Sequence, residues 1–394
     1  MVIAAIKLLG GTLMLAGMII GAGMFAIPFS FAHAGFWLGT AELVFLGIAV
    51  VLVHLSYADV VIGTPEMHRL PGYAGFYLGA WARVLASGSM IISAVGTLLV
   101  YLLLGSRFAG EAMRIGGLIS FSSGTQSLDL FIILVIMVLG AAITYFPIRG
   151  EAIINGILTA LLIIFIGFLV YLLAPALDAS AWISASTSAV GGWEWGNGFI
   201  PYGILLFALW GGVVIPDVAT FFSKNPFQTK TAVIAGSILP IVVYFLFSLA
   251  VVGVSGDLTS QEALAGLVGN VKEEIILLGS IIGFLAVFTS FVALGKAFQA
   301  MLELDLGVPR LVAWAGASIV PFLLYLFGFT DFIAVIVIVG AVAIGIDVLL
   351  ILALHYAMKK SQGISFSWFG IAARGILFCV ILVGIVYRLF FAGM

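Results

Sequence analysis

Residues 17–28 read GMIIGAGMFAIP, and residues 206–217 read LFALWGGVVIPD. Each stretch sets glycines (Gly17, Gly21 and Gly23; Gly211 and Gly212) a few residues ahead of a proline (Pro28; Pro216) in an otherwise apolar run. In a helix interior glycine costs about 1 kcal/mol against alanine, and proline about 3. A backbone group left unpaired away from water costs several kcal/mol more. Taken alone, either stretch has two readings. The glycines can serve close helix packing. Alternatively the helix is unwound there, which survives at membrane depth only where the backbone lines a cavity or a ligand.

The rest of the chain sets the surroundings. Of 394 residues, 64% are hydrophobic and 8% charged, against roughly a quarter charged in a soluble domain. Fifteen basic and 17 acidic residues leave no basic excess to attract nucleic acid. The single cysteine, Cys379, excludes an intrachain disulfide framework and a cysteine-based zinc cluster. A span needs about 20 apolar residues. Hydropathy predicts eleven, over 9–34, 37–62, 82–106, 129–147, 152–176, 200–222, 230–254, 274–301, 311–328, 332–357 and 367–391. The fold class is therefore all-α and polytopic, with no soluble domain. The first apolar run is too long for a cleavable signal and leads straight into a second span.

Basic residues orient the spans. With the N-terminus inside, Lys7, Arg69, Arg83, Arg149, Lys224, Lys230, Lys296, Arg310, Lys359, Lys360 and Arg374 fall on the inner side. Arg107, Arg114, Lys272 and Arg388 fall outside. This asymmetry predicts a cytoplasmic N-terminus and an external C-terminus in the plasma (inner) membrane. Trp182, Trp193 and Trp195 then sit at the outer interface, and 258–273 (LTSQEALAGLVGNVKE) reads as a short outer helix and loop.

The two interrupted stretches fall in spans 1 and 6. They divide the chain into five-span halves, 1–176 and 198–360, with 366–394 as an additional helix. Five is odd, so the second half enters from the opposite side as an inverted repeat. Interrupted spans at corresponding positions of two halves point to a transport site. Amides at Gly21, Ala22, Gly23 and Met24, at the start of a half-helix, suit a carboxylate. Freed carbonyls around Leu209, Trp210, Gly211 and Gly212 suit an ammonium. The apolar and aromatic flanks Met24, Phe25, Phe207 and Trp210 point to a neutral, hydrophobic or aromatic amino acid.

These two stretches, with TPEMHRLPGYAGFYLG (64–79) and LAVFTSFVALGKAF (285–298), resemble amino acid permeases of the amino acid–polyamine–organocation superfamily. Over about 8–360 the chain looks most like prokaryotic aromatic and hydroxy amino acid permeases and the eleven-span neutral amino acid transporters. The resemblance implies the LeuT-type five-plus-five fold, with broken helices 1 and 6, an extra eleventh helix, and substrate held between spans 1, 3, 6 and 8. It also implies a sodium site formed by the carbonyls of Gly17 and Ile20 with Ala286, Thr289 and Ser290. The alternative for Thr289 and Ser290 is a bond back to their own helix. Met24 stands where relatives with a second sodium place Asn. The fifth span carries no Lys of the kind some proton-driven relatives use, so sodium is the expected coupling ion and the proton its alternative.

Ionisable groups within spans are functional suspects. Here they are Glu42, His54, Asp59, Asp217, Lys296, Asp347 and Arg374. Glu42 and Asp59 lie near the ends of span 2 and are expected to reach an interface. His54 is deeper and reads as a packing residue; His33 reads as interfacial. Asp217 follows Pro216, good chemistry for a first helical turn. Lys296 lies seven residues beyond Thr289, about 10 Å along the helix. It is expected either to snorkel or to pair with Asp347, Asp59 or Asp217 as an inner gate or proton relay.

The expected function is secondary active, ion-coupled symport of a neutral amino acid by alternating access. The alternative is an amino-acid sensor on the same fold. An enzyme is not expected: the chain has no Gly-x-Ser-x-Gly, His-Glu-x-x-His or Asp-rich motif. No organic cofactor, nucleic acid or obligate protein partner is expected. The expected partners are the amino acid and the bilayer.

Overall fold

The computed structural model describes residues 2–118, 125–146, 151–188, 199–364 and 368–390. Apart from one isolated bridge between Val268 and Val271, the regular structure of these residues is helical. The first span is two helices, α1 (Val2–Ile19) and α2 (Gly23–Ala34), bent by 55° across Ile20–Ala22. Helix α3 (Phe36–Gly63) follows, then the short α4 (Leu70–Leu78) and the 36-residue α5 (Ala80–Ile115). Gly79, at φ 92°, makes the sharp corner between α4 and α5, a conformation that other residues reach only under strain. Helices α6 (Thr125–Tyr145) and α7 (Glu151–Leu173) follow, and the short α8 (Ala179–Ser188) leads to the sixth span.

The sixth span is again split. Helix α9 (Ile200–Ala208) stops, Leu209–Gly211 runs irregularly, a 3-10 turn covers Gly212–Val214, and α10 (Ile215–Phe221) resumes. Pro216 sits in the first turn of α10, where its missing N–H costs nothing, and Asp217 beside it faces the positive end of the helix dipole. Helices α11 (Pro226–Ser255), α12 (Glu273–Leu304) and α13 (Arg310–Leu326) follow. The tenth span is α14 (Phe332–Ile338), a π-helical stretch (Val339–Ile344) and α15 (Gly345–Ser361); the last is α16 (Trp368–Phe390).

Nine described segments are long and apolar enough to cross a membrane, and the bent α1–α2 pair makes a tenth. Helix α13, the ninth predicted span, is shorter at 17 residues, about 26 Å. Burial separates core from rim. The apolar windows of α5, of the sixth span and of the tenth are 78%, 72% and 78% buried, against 33% for α6 and α7 and 22% for α16. The third, sixth and tenth spans are therefore the inner ones, with α6, α7 and α16 at the rim.

Close backbone contact fixes this core. A Cβ on Gly340, in the π-helical stretch, would lie 1.9 Å from the Gly203 carbonyl oxygen of α9. A Cβ on Gly23 would lie 2.7 Å from Ala208 Cα. The glycines of both broken spans thus serve packing as well as unwinding, so the two readings of the sequence hold together.

One detail differs from expectation. Residues 258–273 form no α-helix; the connection is built on the 3-10 turns Gly256–Leu258 and Ala265–Leu267. Among the tryptophans before the sixth span, Trp182 lies in α8 and donates to the Leu249 carbonyl over 3.1 Å. Trp193 and Trp195 lie outside the described residues. At the α8 end of the bundle, Arg107 meets Glu262 at 3.3 Å. At the α4 end, Lys224 donates to the Thr64 and Pro65 carbonyls and Lys230 meets Asp59 at 2.7 Å.

Candidate functional site

The two breaks are where the helical ladder opens. The Gly21 amide turns to the Ile19 carbonyl at 2.8 Å rather than reaching back to Gly17. This frees the Gly17 carbonyl from its helical partner. Helix α2 begins without a side-chain cap. Among the described residues no acceptor takes the Ala22 and Gly23 amides, so both are orphan donors at a helix N-terminus. In the sixth span the Leu209 amide still reaches Leu205, and Trp210 takes the shorter bond to Phe207.

Two side chains from neighbouring helices hold the breaks open. The buried Tyr244 hydroxyl of α11 lies 2.6 Å from the Ile19 carbonyl and 2.9 Å from the Ala208 carbonyl. One proton thus serves the ends of both half-helices. His54 of α3, fully buried, takes the Gly211 amide on Nε2 at 3.2 Å. A ring nitrogen that accepts carries no proton, so Nδ1 is the protonated one and donates to Ser237 Oγ at 3.0 Å. His54 is therefore more than the packing residue its sequence suggested.

Between the breaks lies a cavity. Gly21, Ala22 and Gly23 line one side, and Phe207, Ala208, Trp210 and Val213 another. Helix α5 contributes Met90, Ser93, Ala94, Thr97 and Tyr101; α12 contributes Leu294, Ala297 and Phe298. The wall is mainly apolar, and its polar atoms are few: the orphan amides, three α5 hydroxyls and the Trp210 indole N–H. That N–H is buried and has no partner among the described residues.

Several expected residues lie elsewhere. Met24 is fully buried, and Phe25 packs edge-on against Phe108 at 4.7 Å and Phe247 at 6.0 Å. Neither lines the cavity. Leu209 and Gly211 are buried behind it, Gly211 against His54, and Gly212 lines a smaller adjoining cavity. The Ala208 carbonyl, one of those freed, is already taken by Tyr244.

At the implied cation site, Thr289 donates to the Leu285 and Ala286 carbonyls at 3.0 and 3.1 Å. This is the backbone bond weighed as the alternative, though it leaves the hydroxyl lone pairs in place. Ser290 is buried and meets the Tyr101 hydroxyl. Both hydroxyls stand near where a Gly21 Cβ would be, at 3.3 Å for Tyr101 and 3.8 Å for Ser290. Gly17, in the last turn of α1, and Ile20, just beyond it, are both buried. Neutral carbonyl and hydroxyl oxygens of this kind fit a hard monovalent cation.

The three carboxylates named as candidate partners of Lys296 each have another partner. Asp217 is held by Arg69, with Nη1–Oδ2 at 2.6 Å and Nη2–Oδ1 at 3.0 Å; Arg69 also donates to the Val213 carbonyl at 3.1 Å. Burial disfavours the Arg69 charge, but the Asp217 carboxylate offsets this and raises its pKa. Asp59 meets Lys230, and His355 lies 3.3 Å away, so Asp59 is part of a helix-bridging cluster. Asp347 accepts from the Ser89 hydroxyl. Lys296 is half-buried beside the wall residues Leu294, Ala297 and Phe298.

Sequence reasoning missed Tyr101, Tyr244 and Arg69. Nothing near Tyr244 in the chain marks it. The α5 hydroxyls could have been found from their four-residue spacing.

Known proteins agree with this architecture. The solved structure of MhsT in complex with L-phenylalanine superposes with a TM-score of 0.72, at 15% identity over 98% of both chains. This likeness bears on the fold. Glutamine transporter 2 of Aliivibrio fischeri is 24% identical over 90% of each protein. Tyrosine-specific transport system 2 of Haemophilus influenzae is 25% identical over 68% of this chain and 64% of that one. Tyrosine-specific transport system 1 of the same organism is 24% identical over 75% and 73%. The family model matches residues 5–391, nearly the whole chain, and places this multi-pass membrane protein in the tryptophan/tyrosine permease family.

Proposed function

We propose that the protein carries a neutral, aromatic or hydrophobic amino acid across the plasma membrane by ion-coupled alternating access, its N-terminus and α4 end in the cytoplasm. The observation that carries this reading is the cavity between the two breaks. On one side the uncapped start of α2 offers the Ala22 and Gly23 amides to a carboxylate. Across it, Phe207, Trp210 and Phe298 give an aromatic bed for a side chain. No charged side chain lines it, so a zwitterion fits and a cationic or anionic amino acid does not. The tyrosine and glutamine named for the relatives are both neutral amino acids.

Residues 1–176 and 198–360 are then the two inverted halves that rock around this site. Alternating access requires a closure at each end. Phe25 against Phe108 and Phe247 supplies one, and Arg69 with Asp217 the other. Sodium is the favoured coupling ion. It would be held by the Gly17 and Ile20 carbonyls with Ala286, Thr289 and Ser290, supplying a charge that steadies the α1 break. Lys296 remains a gating candidate by its place beside the cavity wall.

Uptake into proteoliposomes tests this. A panel of labelled neutral amino acids is offered with sodium and proton gradients imposed separately. Counterflow and concentrative uptake of an aromatic or aliphatic member, driven by sodium, is expected. Binding without counterflow would leave a sensor rather than a transporter. Uptake indifferent to sodium would remove the assigned ion site.

A further inference from the structure

Asp347 lies just beyond the π-helical stretch of the tenth span, 2% exposed. Among the described residues its one hydrogen-bond donor is the Ser89 hydroxyl, and it has no ion-pair partner. An ionised carboxylate so thinly supported is costly to hold away from water. A cation that joins it removes that cost.

Asp347 lines the smaller cavity that adjoins the amino acid cavity at its α4 side. The two share Met90, Trp210 and Val213 as a wall. The small cavity's other residues are Tyr57, Arg69, Leu70 and Gly212. A metal cation wants several hard oxygens around it, and this lining is mostly carbon and aromatic ring. A proton needs only the carboxyl.

Ser89 is also the first rung of a ladder. Ser89, Ser93, Thr97 and Tyr101 recur every four residues on one face of α5, about 18 Å from end to end. The upper three line the amino acid cavity. Tyr101 ends the ladder at Ser290, beside the α1 break. One row of hydroxyls therefore runs from Asp347 past the proposed amino acid site to the proposed sodium site, with Ser93 and Thr97 bonded back to carbonyls of their own helix.

We propose that Asp347 is a proton-binding site of the transport cycle, loaded from water on the α4 side and coupled through the α5 hydroxyls to the occupancy of the main cavity. On loading, a carboxylate oxygen takes a proton from hydronium and the buried negative charge disappears. No other group changes its bonding. The groups facing Asp347 leave it this role. Tyr57 of α3 and Tyr73 of α4 are phenols; Arg69 is committed to Asp217; α5 presents Ser89 and Met90; α16 packs Ile381 and Ile385 on Gly345; and His355 of its own helix lies near Asp59.

This inference rests on the transport reading above, and its test separates the two. The intact protein and the variants Asp347→Asn and Asp347→Glu are reconstituted in lipid. Infrared difference spectra across a pH titration follow the carbonyl stretch of a protonated carboxylic acid, which requires no transport. Labelled L-tyrosine and L-phenylalanine counterflow, and accumulation driven by an imposed pH gradient, are measured in the same liposomes. Each pH unit supports about tenfold accumulation per proton moved. The expected result is a titrating carboxyl band absent from Asp347→Asn and present in Asp347→Glu. Asp347→Asn keeps counterflow and loses that tenfold response, while Asp347→Glu keeps both. A band that persists in Asp347→Asn, or an undiminished gradient response, overturns the proposal. If no protein shows counterflow, the transport reading fails and the infrared titration still decides the proton site.

Discussion

Nε2 of His54 accepts the amide hydrogen of Gly211 over 3.2 Å, so a side chain on a continuous helix splints the unwound part of another. The imidazole replaces the carbonyl that the ladder of the sixth span would have supplied. Removing it leaves a buried amide unpaired, at about 1–3 kcal/mol.

His54→Ala is therefore expected to weaken amino acid binding by roughly tenfold or more, with span topology unchanged. Equilibrium binding of labelled tyrosine and phenylalanine to purified protein reads this directly. Ser237→Ala, which removes only the partner of Nδ1, should cost less. An affinity unchanged in His54→Ala would mean that the break holds its shape without the splint.

The Arg69–Asp217 pair is bidentate, and it joins the α3–α4 link to α10. Arg69→Lys keeps the charge and loses the fork, so it should behave more like Arg69→Ala than like the native protein. Accessibility of a cysteine placed at Val213 measures the effect, in a Cys379→Ser background because Cys379 is exposed. Labelling from the α4 side should rise severalfold in Arg69→Ala and Asp217→Asn. It should fall back when Arg69→Asp and Asp217→Arg are combined. Equal labelling in all of them would show that the pair is no gate.

Gly340→Ala forces a methyl to within 1.9 Å of the Gly203 carbonyl oxygen, with backbone on both sides. Such overpacking costs about 1–3 kcal/mol or more. The protein should lose thermal stability in detergent, and the crossing of α9 with the tenth span should loosen. Gly88→Ala is the matched control: nothing lies within 4 Å of the added carbon, and replacing a helical glycine gains up to about 1 kcal/mol. Melting temperatures that move together in the two variants would contradict this account of the contact.

Trp210 carries a buried indole N–H without a partner among the described residues, on the wall of both cavities. An orphan donor of this kind favours a ligand that brings an acceptor. Trp210→Phe should lower affinity for tyrosine by about tenfold while changing that for phenylalanine less. Parallel losses for the two amino acids would indicate that the ring's area, and not its N–H, is what the ligand feels.

The residues GMIIGAGMFAIP and LFALWGGVVIPD determined much by themselves. Helix propensity and the cost of unpaired backbone in lipid are local and additive, so the two breaks, the run of spans and the uncharged character of the site could all be read along the chain. The split at Ile20–Ala22 and at Leu209–Gly211 falls where the glycines place it. What supports each break could not be read, because those partners are distant in sequence. Tyr244 reaches Ile19 across 225 residues, and His54 reaches Gly211 across 157. The partner of Asp217 could not be read for the same reason. Lys296 and Asp217 share a plausible depth, but side-chain direction and helix crossing gave Asp217 to Arg69, on a link that hydropathy leaves blank. Local chemistry fixed where the chain must unwind, and only packing between helices decided which side chains satisfy what the unwinding exposes.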